Sequence, residues 1–120
     1  MSVSTSNEKD LLMLLSAGNE AAFEELYHLY SKRLLGYFIK LVKSETFAAE
    51  LLQDAFVKIW NNRQNIDPDR SFRSYLFRIA ENLAYDFFRK AAREESARNG
   101  LMKNWDLHLI QKPSDLLMKA

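Results

Sequence analysis

Residues that break helices are scarce in this chain, and that scarcity restricts its fold more than any other feature. Three glycines and two prolines are spread over 120 residues. No segment alternates apolar and polar side chains as a half-buried strand would. Apolar residues recur instead at intervals of three and four, the spacing of one helix face. Together these features predict an all-α protein, a compact bundle of three main helices plus a short N-terminal helix.

Local signals divide the chain. A short helix is expected from Glu8 to Ala17, stopped by Gly18. Asn19 can cap a second helix, Glu20 to Lys43, whose stripe is Phe23, Leu26, Tyr27, Tyr30, Leu34, Tyr37, Phe38 and Leu41. Ser44 can cap a third, Glu45 to Asn62. Arg63 to Arg70 reads as a loop, because Pro68 steers Asp67 away from helical dihedrals. Ser71 caps a fourth helix, Phe72 to Arg98, ended by Asn99 and Gly100. A helical turn from Leu101 to Ile110 and a break at Pro113 are expected beyond it. The division expected is an N-terminal segment (1–18), a helical domain (19–98) and the start of a linker (99–120).

Several function classes fit the residues poorly. There is no cysteine, so thiolate metal sites and disulfides are excluded. His28 and His108 stand apart, without neighbours at ligand spacing. No Gly-rich phosphate loop and no Ser-His-acid set is present. Glu24 and Glu25 adjoin, but helix neighbours point about 100° apart and cannot form a carboxylate pair. An enzyme is therefore the weakest reading, and no cofactor or metal is expected. No run approaches the roughly 18 apolar residues of a membrane span. The polar start, MSVSTSNEKD, does not read as a secretory signal, so a cytoplasmic location is expected.

Charge is nearly balanced at +1, but unevenly distributed. Between Arg63 and Arg93, seven basic side chains face four acidic ones. Between Ser44 and Val57, Glu45, Glu50 and Asp54 stand without a base. Two surfaces for two partners would fit this division.

Helical projection sharpens both. In the third helix Ala48, Leu52, Ala55, Phe56 and Ile59 form the core face. Glu50, Gln53, Asp54, Val57 and Trp60 fall on another arc. A solvated face accounts for that arc and is the commoner case; a docking surface anchored by Val57 and Trp60 is the alternative. In the fourth helix Phe72, Leu76, Ile79, Ala80, Leu83 and Phe87 are the expected core stripe, with Phe77 and Phe88 on a third side, assigned to packing. Tyr75, Arg78, Asn82, Tyr85, Arg89 and Arg93 cluster within about 80°. Arginines for phosphates, tyrosines for base stacking and an asparagine for a base edge suit single-stranded nucleic acid. A solvated arginine face suits the residues equally, so a helical protein-interaction adaptor without DNA binding stays open.

The ordered motifs carry a resemblance. Phe23-Glu-Glu-Leu-Tyr27, Leu34-Leu35, Ala49-Glu-Leu-Leu-Gln-Asp-Ala-Phe-Val-Lys-Ile-Trp60 and Ser71-Phe-Arg-Ser-Tyr-Leu-Phe-Arg-Ile-Ala-Glu-Asn-Leu-Ala-Tyr-Asp-Phe-Phe-Arg89 follow one another. From Ala21 to about Arg93 the chain resembles region 2 of extracytoplasmic-function (ECF) sigma factors of the sigma-70 family. Each motif alone is modest; all of them in order are specific.

The resemblance implies a transcription initiation factor. Glu50, Gln53, Asp54, Val57 and Trp60 would dock on the clamp coiled coil of the largest subunit of core RNA polymerase. Ile66 to Tyr75 would hold a base flipped from the non-template strand of the minus-10 promoter element, with Phe72 and Asn82 near the pocket. Tyr75, Arg78, Tyr85, Arg89 and Arg93 would line the strand path. An anti-sigma factor is a further implied partner. Nothing here matches the second domain, which reads the minus-35 element, so 99–120 would begin an interdomain linker. Asp67 and Asp69 flank the implied pocket, where they would repel phosphate.

Overall fold

In the computed structural model the described residues are 8–98. They form four α-helices: α1 (Glu8–Ser16), α2 (Glu20–Val42), α3 (Glu45–Asn61) and α4 (Phe72–Arg98). A single 3-10 turn, Arg63–Asn65, interrupts the loop before α4. No strand occurs among the described residues, so the all-α expectation holds. The expectations for Asn99–Gly100, Leu101–Ile110 and Pro113 lie outside the described residues.

Each junction is fixed by local chemistry. Gly18 takes φ 92°, a left-handed conformation that side chains resist. Its N–H and that of Asn19 donate back to the carbonyls of Leu15 and Leu14 at 2.8 and 2.9 Å, closing α1. Asn19 then caps α2, its Oδ1 accepting from the Ala22 N–H at 2.8 Å. The α2–α3 junction is tighter than the sequence implies. Lys43 leaves the helix with φ 57°, because Ser44 must be extended (φ −154°) to accept from the Phe47 N–H at 3.1 Å. Ser71 Oγ accepts from the Ser74 N–H at 3.1 Å and starts α4.

One apolar core joins all four helices. Leu11, Leu12 and Leu15 of α1 are buried in it together with Leu26, Leu34 and Phe38 of α2, and Ala48, Ala55, Phe56 and Ile59 of α3. No polar or charged residue is buried among the described residues. The α3 core face follows the helical projection, with Leu51 added. α4 departs from its projection. Its buried residues are Phe72, Leu76, Ala80, Ala84 and Phe88, whereas Ile79, Leu83 and Phe87 are only half-buried. The buried set is a strict every-fourth row, which slants about 40° per step around the helix. Such a ridge is what a helix presents when it crosses its neighbours at an angle. Phe88 is therefore a core residue, and Leu83 and Phe87 border the groove between α3 and α4. Phe77, the other ring on that side, packs edge-on against Tyr37 with centroids 5.4 Å apart.

Truncating a fully buried ring costs about 3–5 kcal/mol, through lost burial and the cavity left behind. Phe88→Ala is expected to lose that much in urea-monitored unfolding. Leu29→Ala, at a position 55% exposed, should change stability by no more than about 0.5 kcal/mol. Equal effects of the two would refute the slanted-ridge packing.

Candidate functional site

The loop after α3 and the first turns of α4 enclose a cleft of about 540 Å³. Its lining includes Leu12 from α1, Asn65, Ile66, Asp67, Arg70 and Ser71 from the loop, and Phe72, Ser74, Tyr75 and Arg78 from α4. Ile66, Leu12 and Phe72 are buried and make an apolar floor. Phe72 is 1% exposed, with its ring 5.4 Å from that of Tyr30. It supports the cleft from beneath and offers no free face for stacking. Tyr75 is half-buried at the wall, and Arg78 is exposed.

Past the cleft the expected stripe continues along α4. Asn82 and Tyr85 are half-buried, and Arg89 and Arg93 are exposed. The Arg89 guanidinium lies 5.8 Å from the Tyr85 ring centroid. From Tyr75 to Arg93 the stripe runs about 27 Å at the α-helical rise. Asn82 lies on this stripe but is not part of the cleft lining.

The loop is built from its own acids. Asp67 Oδ1 accepts from the Asp69 N–H at 2.9 Å, and the Asp67 carbonyl accepts from the Arg70 N–H at 3.0 Å. Arg70 Nε stands 3.5 Å from Asp67 Oδ2. Lys9, from α1, places Nζ 3.0 Å from Asp69 Oδ1. The adjacent Glu8 ties three elements together. Its Oε1 accepts from the Tyr30 hydroxyl at 2.7 Å, and its Oε2 from the Phe72 N–H, the first of α4, at 3.3 Å. A carboxylate at a helix N-terminus satisfies a free donor and meets the positive end of the helix dipole. Sequence reasoning missed Glu8, Lys9, Leu12 and Asn65. Nothing local marks the first three, because their partners lie far along the chain.

The α3 arc opens onto two separate hollows. Glu50 and Asp54 line a groove of about 390 Å³ between α3 and α4, with Phe47, Phe87, Asp86, Lys90 and Glu94. Gln53, Val57 and Trp60 line a hollow of about 580 Å³ between α2 and α3, with Phe23 and Tyr27. Val57 is 50% exposed. Trp60 is half-buried, its ring centroid 5.1 Å from that of Phe23. The Arg63 guanidinium lies 4.2 Å from the Trp60 ring centroid, and its Nη1 donates to the Trp60 carbonyl at 2.9 Å. The indole thus has two close neighbours, the Phe23 ring and the Arg63 guanidinium, and a held aromatic ring is the kind of anchor that interfaces use. Among the described residues no group of three or more His, Cys, Asp or Glu could hold a metal ion, and no helix is long and apolar enough to cross a membrane.

The family model described as Sigma-70 region 2 matches residues 26–94. The chain belongs to the sigma-70 region 2 family, and its relatives place it with the ECF type. It is 34% identical over 87 residues to RNA polymerase sigma factor CnrH of Cupriavidus metallidurans, covering 69% of this chain and 46% of that one. To RNA polymerase sigma factor CarQ of Myxococcus xanthus it is 31% identical over 87 residues, 67% of this chain and 50% of that one. To ECF RNA polymerase sigma factor SigW of Bacillus subtilis it is 27% identical over 82 residues, 68% of this chain and 44% of that one. The chain spans about half the length of these curated relatives. No solved structure matches it.

Two tyrosines give the fold an alkaline limit. Tyr30 is pushed up to about 12 from 10.0, first by burial and then by its hydrogen bond to Glu8. Tyr37 is pushed up to about 12 by burial and by the nearby charge of Glu81. A group whose folded pKa is raised contributes stability that is complete below its unfolded pKa and is lost as pH rises towards the folded value. Unfolding free energy is therefore expected to decline between pH 10 and about 12. Tyr30→Phe/Tyr37→Phe, compared across the same window by urea titration, should show a shallower decline; an unchanged slope would contradict the assignment.

Proposed function

We propose that this chain is the polymerase-docking and strand-capturing part of a transcription initiation factor, non-enzymatic and acting on opened promoter DNA. The observation that carries this reading is the cleft beside Tyr75 and Arg78, continuous with a tyrosine–arginine track along α4. Removing a base from its stack costs a few kcal/mol. A cleft with an apolar floor and polar walls can offset that cost and favour some bases over others. Tyr75 and Tyr85 supply faces for stacking, each worth roughly 1–3 kcal/mol per base. Arg78, Arg89 and Arg93 pair with phosphates, and Asn82 offers both a donor and an acceptor to an exposed base edge. Phe72 serves by holding the floor in place. The substrate of this site is the non-template strand of the minus-10 element.

The second partner is core RNA polymerase, through the clamp coiled coil of its largest subunit. Glu50, Gln53, Asp54, Val57 and Trp60 make the docking surface. Trp60 and Val57 supply apolar area, while Glu50 and Asp54 set register and favour a basic partner face. An anti-sigma factor belongs to the same proposed set of partners.

Binding of a short single-stranded promoter oligonucleotide, followed by fluorescence anisotropy with core polymerase present, tests the first part. Affinity should fall as salt rises, and Arg78→Ala should reduce the logarithmic salt slope by about 0.7. Tyr75→Ala should cost roughly 1–3 kcal/mol, and Asn82→Ala should weaken binding measurably. Salt-independent binding, or indifference to all three substitutions, would return the track to a solvated face. For the second part, Asp54→Ala and Trp60→Ala should each weaken association with core polymerase; a complex that ignores both rules out the docking surface.

A further inference from the structure

Strand capture meets an electrostatic obstacle at the cleft. Asp67 lines it, and Asp69 stands one residue before Arg70, which also lines it. An uncompensated carboxylate there would repel each passing phosphate. The structure gives both acids a cationic neighbour. That of Asp67 is local, since Arg70 follows three residues later. That of Asp69 comes from a different helix: Lys9 of α1 reaches it at 3.0 Å.

The seat of Lys9 is firm even though its side chain is exposed. Leu11, Leu12 and Leu15 bury the other face of α1 in the core. The preceding residue, Glu8, is hydrogen-bonded to both Tyr30 and the first N–H of α4. The backbone of Lys9 is thus held beside the loop, within reach of Asp69. The pair itself does little for folding, since its side chains are 58% and 74% exposed and solvent screens such pairs. Its effect falls on the local potential. The hydrogen bond to Asp69 raises the Lys9 amine above its ordinary 10.5, so the residue is cationic at neutral pH.

We propose that Lys9 is a positioning residue for strand capture, one that acts through Asp69 by cancelling its charge at the lip of the cleft so that the strand's phosphates can pass. The inference rests on the strand-capture reading above. It gives α1, whose Leu12 already lines the cleft, a second part in the site, and α1 precedes the stretch matched by the family model, residues 26–94. The sign of the effect is specific. Removing Lys9 alone leaves a net negative lip, removing the Asp69 charge alone leaves a positive one, and removing both restores neutrality.

A labelled single-stranded DNA oligonucleotide, titrated against the full 120-residue chain with core polymerase present, reads the effect. Lys9→Ala should weaken binding about fivefold at low salt, the effect of one unit charge a few ångströms from a phosphate across water. The loss should shrink as salt rises. Asp69→Asn should bind at least as tightly as the unaltered protein. Lys9→Ala/Asp69→Asn should return to within about twofold of it, a rescue that a bracing role, lost in either single variant, would not give. A double variant as weak as Lys9→Ala overturns the proposal. If Tyr75→Ala and Arg78→Ala weaken binding while Lys9→Ala does not, the proposal falls alone. If none of the three moves it, strand capture falls as well.

Discussion

The structure depends on the slanted row Phe72, Leu76, Ala80, Ala84 and Phe88, which seats α4 against α2 and α3. Small residues at the middle of the row let the helices approach, and the two phenylalanines close the core at either end. Burying one such ring is worth about 1.5–3 kcal/mol, so the row fixes the rotation of α4 about its own axis. With that rotation set, Tyr75, Arg78, Asn82, Tyr85, Arg89 and Arg93 are centred about 180° from the row. The track's arginines, Arg78, Arg89 and Arg93, are exposed because the ridge faces the core, while Tyr75 still packs against the core's edge.

The cleft follows from a second constraint, the start of α4. A helix begins with unpaired N–H groups that need acceptors. Ser71 supplies one from within the turn, and Glu8 supplies another from α1. The same carboxylate holds the Tyr30 hydroxyl, whose ring lies against Phe72. The cleft floor is therefore held by a carboxylate, a phenol and a helix terminus drawn from three separate parts of the chain. The loop above it is shaped by Asp67, whose side chain and carbonyl bind the next backbone N–H groups. Asp67 thus builds the turn, Asp69 contributes its N–H to it, and the two carboxylates are paired with Arg70 and Lys9.

The α3 surface shows what packing does to a projected arc. Glu50, Gln53, Asp54, Val57 and Trp60 share one side of the helix, yet α2 and α4 flank it unequally. Two hollows result, one acidic and bordered by Phe47, the other aromatic and bordered by Phe23 and Tyr27. Trp60 is half-buried with Phe23 and Arg63 against its ring, so the ring is oriented before any partner arrives. A preorganised anchor loses less side-chain entropy on binding than a free one.

By itself the sequence determined the helices, their caps and the side-chain inventory of both surfaces. Those features are local: Asn19, Ser44 and Ser71 act within three residues of themselves, and a 3.6-residue period reads directly as a face. Family membership was legible for the same reason, in motifs that are contiguous in the chain. Tertiary structure alone decided that Phe88 is core while Leu83 and Phe87 border a groove, because packing against α2 and α3, and not the pattern of α4 itself, selects the buried row. It alone brought Glu8 to the first N–H of α4 and Lys9 to Asp69. Such pairs join residues distant in sequence, and no spacing rule along the chain encodes them. What the residues could do was written locally, and which of them meet at the cleft was fixed only when α1 packed against α2 and the loop.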